Sequence, residues 1–323
     1  MPKTCKVAIV GAGYMAAQHI QAFAGISGVE VTGVFSRSRA RAEQLASSHS
    51  NLVVYDSVAD LHHGTQADIV VVAVNELSAN LVARECFAFP WLVLLEKPAG
   101  LDLADAASIA EAARARSRRV FVGLNRRHYS STRTALERLG RLDGPRFIKV
   151  QDQEDIVEAL QHGKPERVIA NWMYANAIHV IDYFRIFGRG DIVKVTPVVP
   201  WTPASPGVVV SHLEFSGGDI GLYEAVWNRP GPWAVTVSTA QERYELRPLE
   251  QVAVQLNGQR QLTVLPSDPI DRDFKPGLRR QAEQAVRAAQ GEPTELPTIE
   301  EALQSMRLVA RLYGLDAKSS MAA

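Results

Sequence analysis

Short apolar runs alternate with amphipathic stretches over the first third of the chain. Runs rich in β-branched residues, which predict strands, cover 6–10, 29–35, 52–55, 68–74, 91–95 and 119–123. Helix-forming stretches lie between most of them, at 15–23, 40–46, 77–87 and 103–117, with Asp102 as a candidate N-cap for the last. This alternation predicts βαβ units and a doubly wound parallel sheet.

The pattern changes after Gly123. A helix at 130–139, a strand at 147–152 and a long apolar helix at 172–187 are predicted first. Strand-like segments without intervening helices follow, at 192–199, 207–215, 220–227, 233–238, 242–248 and 251–256. Turn signals such as Asn257-Gly258 separate them, which is typical of an antiparallel sheet. Two further helices are predicted at 277–290 and 299–315.

Composition narrows the class of protein. A chain of 323 residues predicts two domains, and 46% hydrophobic residues with zero formal net charge predict a globular protein without a nucleic-acid or polybasic membrane role. The two cysteines, Cys5 and Cys86, imply no disulfide framework and fit a reducing cytoplasm. No signal-peptide pattern and no apolar stretch of transmembrane length is found, so we expect a cytoplasmic protein.

The first predicted strand ends in a glycine-rich turn, Gly11-Ala12-Gly13-Tyr14-Met15-Ala16. In this GxGxxA pattern the first glycine permits a tight turn, the second lets the backbone approach a pyrophosphate, and the small third residue lets helix pack on strand. The phosphates then lie at a helix N-terminus. The motif predicts a dinucleotide site in a Rossmann domain over 1–123, followed by an α+β domain over 124–323 with a large, mostly antiparallel open sheet. The C-terminal helices are free to pack against the first domain.

The end of the second strand bears on which dinucleotide is bound. NAD sites usually carry an acidic residue there, which binds the ribose hydroxyls. This chain has Ser36 instead, followed by Arg37 and, further on, Arg41. Hydroxyl and guanidinium donors suit a 2′-phosphate, so the pattern favours NADP over NAD. The alternative is that these arginines only solvate the start of a helix.

Lys97 follows the apolar strand at 91–95 and lies between Glu96 and Pro98. In an open α/β sheet, ligands bind at the carboxyl ends of the strands. Lysine is rarely buried without a reason, and desolvation lowers the pKa of an ammonium group, which suits proton transfer. The alternative is a structural lysine paired with Glu96.

His179 lies on the predicted long apolar helix. Asp182 is three residues further on and shares its face, so it could orient the imidazole and fix its tautomer. Asn176 and Tyr183 flank the same face. A lone histidine on an apolar helix is more often a core residue, and that alternative stays open.

Together these motifs resemble the Gfo/Idh/MocA oxidoreductases, the family of glucose–fructose oxidoreductase and inositol dehydrogenase. The resemblance spans almost the whole chain and includes His19, the Glu96-Lys97-Pro98 segment, 123–127 and the pair His179 and Asp182. It implies that Lys97 and His179 handle a hydroxyl proton while hydride passes to or from nicotinamide. We expect no metal site. We expect Asn75, as a strand-end residue, to join the cofactor site with Glu96, Lys97 and Asn125. The expected substrate contacts are Lys97, Arg127, Tyr129, Trp172, Tyr174, Asn176 and His179, because arginine and asparagine beside aromatic residues suit a polyol ring; the alternative is that part of this set is only solvated surface.

Two positions depart from the family's pattern. Many members carry an aspartate four residues before the histidine, where this chain has Ala175, and Val74-Asn75-Glu76 stands where many have Thr-Pro. The proton relay is therefore complete only if Lys97 and His179 suffice or another residue substitutes; the candidates are Asn176, Tyr174 and Tyr129.

Two main hypotheses about function follow. The first is an NAD(P)-dependent dehydrogenase or reductase of a sugar, nucleotide sugar or cyclitol, assembled as a homodimer or homotetramer through the C-terminal sheet. The second is a non-catalytic dinucleotide-binding sensor or regulator on the same fold. A reductase of a non-sugar carbonyl is a third possibility. Lys97 and His179 favour an enzyme, whereas Ala175 favours the sensor.

Overall fold

The computed structural model describes residues 4–315, which form two compact units. The first unit contains the described residues up to His128 together with Ile270–Leu303. The second contains Tyr129–Pro269 together with the chain from Gln304 as far as it is described. Each unit is built on its own β-sheet.

The sheet of the first unit consists of parallel strands: β1 (Cys5–Val10), β2 (Val29–Phe35), β3 (Val53–Tyr55), β4 (Ile69–Val72), β5 (Leu92–Glu96) and β6 (Val120–Gly123). They lie in the order β3-β2-β1-β4-β5-β6, so the direction of winding reverses between β1 and β4. This order is that of the doubly wound dinucleotide-binding fold, in which ligands bind at the carboxyl ends of the strands beside the reversal. The predicted parallel sheet is therefore confirmed.

Helices connect these strands: α1 (Tyr14–Phe23), α2 (Arg39–Ala46), α3 (Val58–Thr65), α4 (Ala79–Cys86) and α5 (Leu103–Ala115). The Asp102 side chain accepts a hydrogen bond from the Asp105 N–H, as expected of the predicted N-cap. Helix α3 was not predicted. Its signal was present, because Ser57 caps it by accepting from the Asp60 N–H, and Ser-x-x-Asp is a capping pattern.

The second unit contains an eight-stranded sheet. Its strands are β7 (Phe147–Glu154), β8 (Ile192–Val199), β9 (Val208–Phe215), β10 (Ile220–Trp227), β11 (Ala234–Ser238), β12 (Glu242–Leu246), β13 (Ala253–Leu256) and β14 (Thr263–Val264), in the order β14-β13-β12-β11-β7-β10-β9-β8. Only β7 and β10 pair in parallel, so the sheet is mostly antiparallel, as predicted. Buried and accessible residues alternate along β7, β9 and β10, which places the core on one face.

Helices of the second unit pack on this sheet or extend from it: α6 (Ser130–Leu139), α7 (Ile156–Gln161), α8 (Glu166–Ile169), α9 (Ile178–Ile181) and α10 (Tyr183–Phe187). The predicted single helix over 172–187 differs in its first part, because Met173–Ala177 forms a turn of π-helix. Helices α7 and α8 were not predicted, since each is too short to show a helical period.

The last helices are α11 (Ile270–Asp273), α12 (Leu278–Ala289) and α13 (Ile299–Leu312). Leu278, Ala282 and Ala285 of α12 are buried in the same core as β1 and α1, which explains why this late helix belongs to the first unit. Within residues 4–315, no helix is both long and apolar enough to cross a bilayer.

Asp219, just before β10, is the buried charge that ties together several segments of the second unit. Its carboxylate accepts the N–H groups of Arg146 and Arg189, each at 2.8 Å, and the Arg189 guanidinium at 2.6 Å. Burial alone would raise the pKa of Asp219, but the hydrogen bonds from Arg189 and from the two backbone N–H groups together hold it below its usual range.

We expect Asp219→Asn to lower the free energy of unfolding by about 2 kcal/mol at neutral pH, because charge-assisted hydrogen bonds are lost. Solvent screening of the partly exposed Arg189 limits this loss. Since the folded-state pKa is lowered, the contribution of the carboxylate is present at neutral pH and lost as pH falls through that pKa. The difference from wild type should therefore shrink in acid. Urea denaturation at several pH values measures it, with the exposed Glu250→Gln as control; a difference independent of pH would contradict this account.

Candidate functional site

In the turn after β1, the position of the first glycine has no room for a side chain. Gly11 has a φ of 120°, and a Cβ there would lie 2.1 Å from the Ala73 carbonyl oxygen. Gly13 differs, since it is exposed and a Cβ there would meet nothing within 4 Å. The fold itself thus requires Gly11, whereas the space beside Gly13 is open to a ligand.

The N-terminus of α1 is arranged to receive an anion. Gly13 is its N-cap, no side chain caps it, and its first turn contains no acidic residue. The first amide groups of the helix are therefore available to a phosphate. Tyr14 is 67% exposed, and the Lys275 ammonium lies 5.5 Å from its ring centroid. Together with the partly exposed Ala12 and Met15, this cradle fits the pyrophosphate of a dinucleotide.

The arginines after β2 have different surroundings. Arg39 pairs with Glu43 and Asp56, so its charge is neutralised within the protein. Arg37 instead donates to the Ser78 hydroxyl at 3.0 Å, while Ser36 is partly exposed and Arg41 is exposed. Arg37 and Arg41 therefore keep a positive charge at the end of β2, close in sequence to the hydroxyl of Ser36.

Ser78 connects two of the predicted cofactor residues and was missed in the sequence. Its N–H donates to the Asn75 side-chain oxygen at 3.0 Å, and its hydroxyl accepts from Arg37. Asn75 follows β4 and Arg37 follows β2, so Ser78 holds together the segments on both sides of β1. The available signal was an asparagine three residues before the serine, the spacing at which an N-cap side chain accepts a backbone N–H.

Glu96 ends β5 and is held by α1. One carboxylate oxygen lies 2.6 Å from His19 Nε2, and the other accepts the Lys97 N–H at 3.2 Å. His19 and Glu96 are both buried, whereas Lys97 is partly exposed. The role of Glu96 in this geometry is to connect the carboxyl end of β5 to the helix of the glycine-rich turn, directly beside Lys97.

Asn125 follows β6 in a short 3₁₀ turn, Asn125–His128. It is buried, and its amide donates to the Pro276 carbonyl at 3.0 Å. The structure therefore explains Asn125 by a contact with the chain before α12, and its contact with cofactor remains a prediction. Arg127, in the same turn, is partly exposed.

In the second unit, Trp172, Tyr174, Asn176 and His179 all lie on one helical stretch. His179 is partly exposed and Tyr174 is buried. Asp182, suggested as the partner that orients His179, is buried and accepts a hydrogen bond from Ser305 at 2.7 Å. The Ile178 N–H reaches back five residues to the Met173 carbonyl, so the turn before His179 is wider than an α-helical one.

A buried carboxyl group lies behind this helix. Glu154, the last residue of β7, has no exposed surface, and its Oε2 accepts the Asn176 amide at 2.8 Å. Burial, then the neighbouring Asp152 carboxylate, raise the pKa of Glu154 well above its ordinary value despite this hydrogen bond. Sequence reasoning missed Glu154. Tyr129, another predicted substrate residue, is buried at the start of α6.

The structure thus brings the residues of the glycine-rich turn, Ser36, Arg37, Asn75, Glu96 and Lys97 to the carboxyl edge of the first sheet. It places Trp172, Tyr174, Asn176 and His179 together in the second unit. Arg127 belongs to the first unit and Tyr129 to the second. Among the described residues, no cluster of three or more His, Cys, Asp or Glu side chains could hold a metal ion.

Known proteins support the fold. The profile of a family described as an oxidoreductase family with an NAD-binding Rossmann fold (GFO_IDH_MocA) matches residues 5–124, which confirms the resemblance over this segment. The curated inositol 2-dehydrogenase 1 of Saccharopolyspora erythraea is 29% identical over 60% of this chain and 57% of its own length. The chain therefore matches little more than half of that relative.

Solved structures with the same architecture cover nearly the whole chain. An aldose–aldose oxidoreductase from Caulobacter crescentus, complexed with glycerol, has a TM-score of 0.81 at 16% identity and covers 98% of both chains. An oxidoreductase from Agrobacterium radiobacter, in complex with NAD+, L-tartaric acid and magnesium, has a TM-score of 0.79 at 17% identity, covering 98% of this chain and 97% of that one. At such identities the likeness concerns the fold.

The two glycines of the cradle should respond differently to alanine. We expect Gly13→Ala to leave thermal stability nearly unchanged but to weaken dinucleotide binding at least tenfold, since the added methyl group occupies the space for the pyrophosphate. Gly11→Ala should destabilise the first unit, because its Cβ clashes with the Ala73 carbonyl. Thermal unfolding and NADPH fluorescence titration of both variants measure this. Undiminished binding by a folded Gly13→Ala protein would exclude the cradle as the phosphate site.

Proposed function

We propose that this protein is an NAD(P)-dependent oxidoreductase acting on a sugar, nucleotide sugar or cyclitol, since the profile of the Gfo/Idh/MocA oxidoreductases matches residues 5–124. It oxidises a secondary hydroxyl to a ketone or catalyses the reverse step. The observation that carries the proposal is the open, uncapped N-terminus of α1, joined through His19 and Glu96 to Lys97. The inositol dehydrogenase relative and the aldose oxidoreductase fold support the substrate class.

In the proposed oxidation, the carbon that carries the hydroxyl group loses a hydride and the hydroxyl oxygen loses a proton. A nicotinamide held by the glycine-rich turn would supply the acceptor for the hydride that leaves carbon, or its donor when a ketone is reduced. Lys97 and His179 take up the proton that leaves the hydroxyl oxygen, and return it when a ketone is reduced. Partial exposure of both side chains is compatible with proton exchange with solvent.

We propose NADP as the preferred cofactor, with NAD as the alternative. Position 36 offers a hydroxyl rather than a carboxylate, and Arg37 is held by a neutral partner, Ser78, which leaves its charge available. A 2′-phosphate needs donors of this kind. The carboxylate of Asp56 is already paired with Arg39.

A non-catalytic sensor remains the second candidate, and Ala175 is the observation that favours it. A panel assay separates the two: purified protein is titrated with NADH and NADPH by fluorescence and then tested with myo-inositol, aldoses and UDP-N-acetylglucosamine. Oxidation or reduction of one compound supports the enzyme. Tight dinucleotide binding without turnover of any compound supports the sensor, and Ala175→Asp is then the variant to test for activity.

We further propose that copies of the chain associate as a homodimer or homotetramer through the face of the eight-stranded sheet opposite its core. That face carries Leu222 and Val226, both partly exposed, beside the ion pair between Lys149 and Glu224 at 3.0 Å. A face of mixed apolar and paired charged residues suits a subunit interface. We propose a cytoplasmic location, since a chain with two cysteines implies no disulfide framework.

We expect Lys97→Ala to abolish turnover while the Kd for NADPH changes less than about threefold, because the amine handles the proton and the pyrophosphate is held elsewhere. Steady-state assay and fluorescence titration measure the two effects separately. Lys6→Ala, near the amino end of β1, is the matched control. Turnover that survives Lys97→Ala would remove this lysine from the mechanism.

We expect Arg37→Ala to raise the Kd for NADPH about tenfold, since a charge-assisted hydrogen bond to the 2′-phosphate is lost, and to leave the Kd for NADH nearly unchanged. Arg39→Ala is the control, because Arg39 is already neutralised by Glu43 and Asp56. An equal loss of affinity for both dinucleotides in Arg37→Ala would show that Arg37 does not discriminate between them.

A further inference from the structure

A cavity of about 370 Å³ opens in the second unit beside the helical stretch that carries His179. Trp172 and Trp233 line it together with Asn176 and Gln153. Both tryptophans are partly exposed, and Trp233 is fixed by a hydrogen bond from its indole N–H to the Gln153 carbonyl at 2.9 Å. The volume lies in the range of small-molecule sites, and exposed aromatic faces beside polar groups suit a ring with both apolar and hydroxyl-bearing surfaces.

Asn176 is a polar residue of this cavity, and a hydrogen bond to the sheet behind it sets the orientation of its side chain. Its Nδ2 donates to Glu154 Oε2 at 2.8 Å. That bond directs the amide nitrogen toward the sheet and leaves Oδ1 as the part of the side chain that accepts hydrogen bonds. Within the described residues, no hydrogen bond to Asn176 Oδ1 is formed, and this oxygen is not buried. Asn176 therefore offers an acceptor to a ligand that carries hydroxyl donors.

Glu154 holds the amide in this orientation because of its surroundings. It is completely buried and lies two residues from Asp152, which is also buried. Asp152 accepts a hydrogen bond from Tyr223 at 2.7 Å, and the Tyr223 hydroxyl lies 2.9 Å from that of Tyr313. Burial, then the Asp152 carboxylate, raise the pKa of Glu154 well above its ordinary value, which favours its neutral form. In either form, Oε2 of Glu154 is the acceptor for the Asn176 amide.

We infer that Asn176 and Glu154 form the polar arm of a binding site for the hydroxyl groups of a sugar or cyclitol ring, with Trp172 and Trp233 as its walls. Asn176 contacts the ligand as acceptor, and Glu154 is a positioning residue that acts through Asn176. The class of ligand rests on the proposed function, whereas the site itself rests on the cavity and the buried hydrogen bond.

Ligand-observed NMR by saturation transfer tests the site directly, with myo-inositol, glucose and UDP-N-acetylglucosamine as probes. We expect at least one probe to bind wild type, and Asn176→Ala to weaken that binding about tenfold. Glu154→Gln should bind within about twofold of wild type, because a neutral amide can donate to Asp152 and accept from Asn176. Glu154→Leu should weaken binding as Asn176→Ala does, and the double variant Glu154→Leu/Asn176→Ala should be no weaker than Asn176→Ala alone.

Kinetics distinguish positioning from a merely structural role. For a compound that is turned over, Asn176→Ala and Glu154→Leu should raise KM while kcat changes little, with Glu154→Gln restoring KM. Ser211→Ala, which removes another buried hydrogen bond of the unit, is the control for lost stability and should leave KM unchanged. Circular dichroism and thermal unfolding show whether each variant is folded. If Glu154→Leu does not fold, Asn176→Ala and Glu154→Gln decide alone.

The outcomes separate this site from the proposed activity. Ring binding that Asn176→Ala abolishes, without turnover of any probe, would support the site and overturn the oxidoreductase. Turnover with KM and binding insensitive to Asn176→Ala would overturn the site and support the oxidoreductase. Absence of saturation transfer from the wild-type protein to any of the probes would overturn the site, as would a Glu154→Gln variant that loses binding as fully as Glu154→Leu.

Discussion

The contact between Gly11 and the Ala73 carbonyl is the constraint on which the cofactor end of the first unit depends. The chain leaves β1 so close to the end of β4 that a Cβ at Gly11 would lie 2.1 Å from that oxygen. This turn sets where α1 begins, and α1 then carries His19 to Glu96 at the end of β5. The glycine-rich turn and Lys97, far apart in sequence, are thereby parts of one hydrogen-bonded assembly. A shift of α1 would displace the phosphate cradle and the residue beside Lys97 together.

The second unit shows how surroundings shift the pKa values of two buried carboxyl groups in opposite directions. Asp219 receives backbone N–H groups and the Arg189 guanidinium, so hydrogen bonds to its charged form outweigh burial and its pKa is lowered. Glu154 is buried beside Asp152 and receives one amide, so burial and like charge outweigh that bond and its pKa is raised. The surroundings of Asp219 favour its charged form, which ties segments together. The surroundings of Glu154 favour its neutral form, which can hold the Asn176 amide without adding another charge to the core.

Much of the fold was predictable because apolar residues recur at the strand or helix period. The bounds of β2, β8, β10 and α6 coincide with those predicted. Helices α7 and α8 have too few residues for a period, and the π turn cannot be distinguished from an α-helix by apolar residues alone. The bond between Asn176 and Glu154 was also not predictable: Gln151-Asp152-Gln153-Glu154 is wholly polar, so nothing in it indicates that Asp152 and Glu154 face the core.

The π turn changes what Ala175 means. In an α-helix the residue four positions before His179 lies one turn below it, which is where the family's aspartate would stand. Here the Ile178 N–H bonds to the Met173 carbonyl five residues back, so the preceding turn contains one more residue. The residues before His179 are therefore not spaced as in a regular α-helix, so Ala175 does not mark the position one turn below the histidine. This weakens the inference from Ala175 alone to an inactive protein.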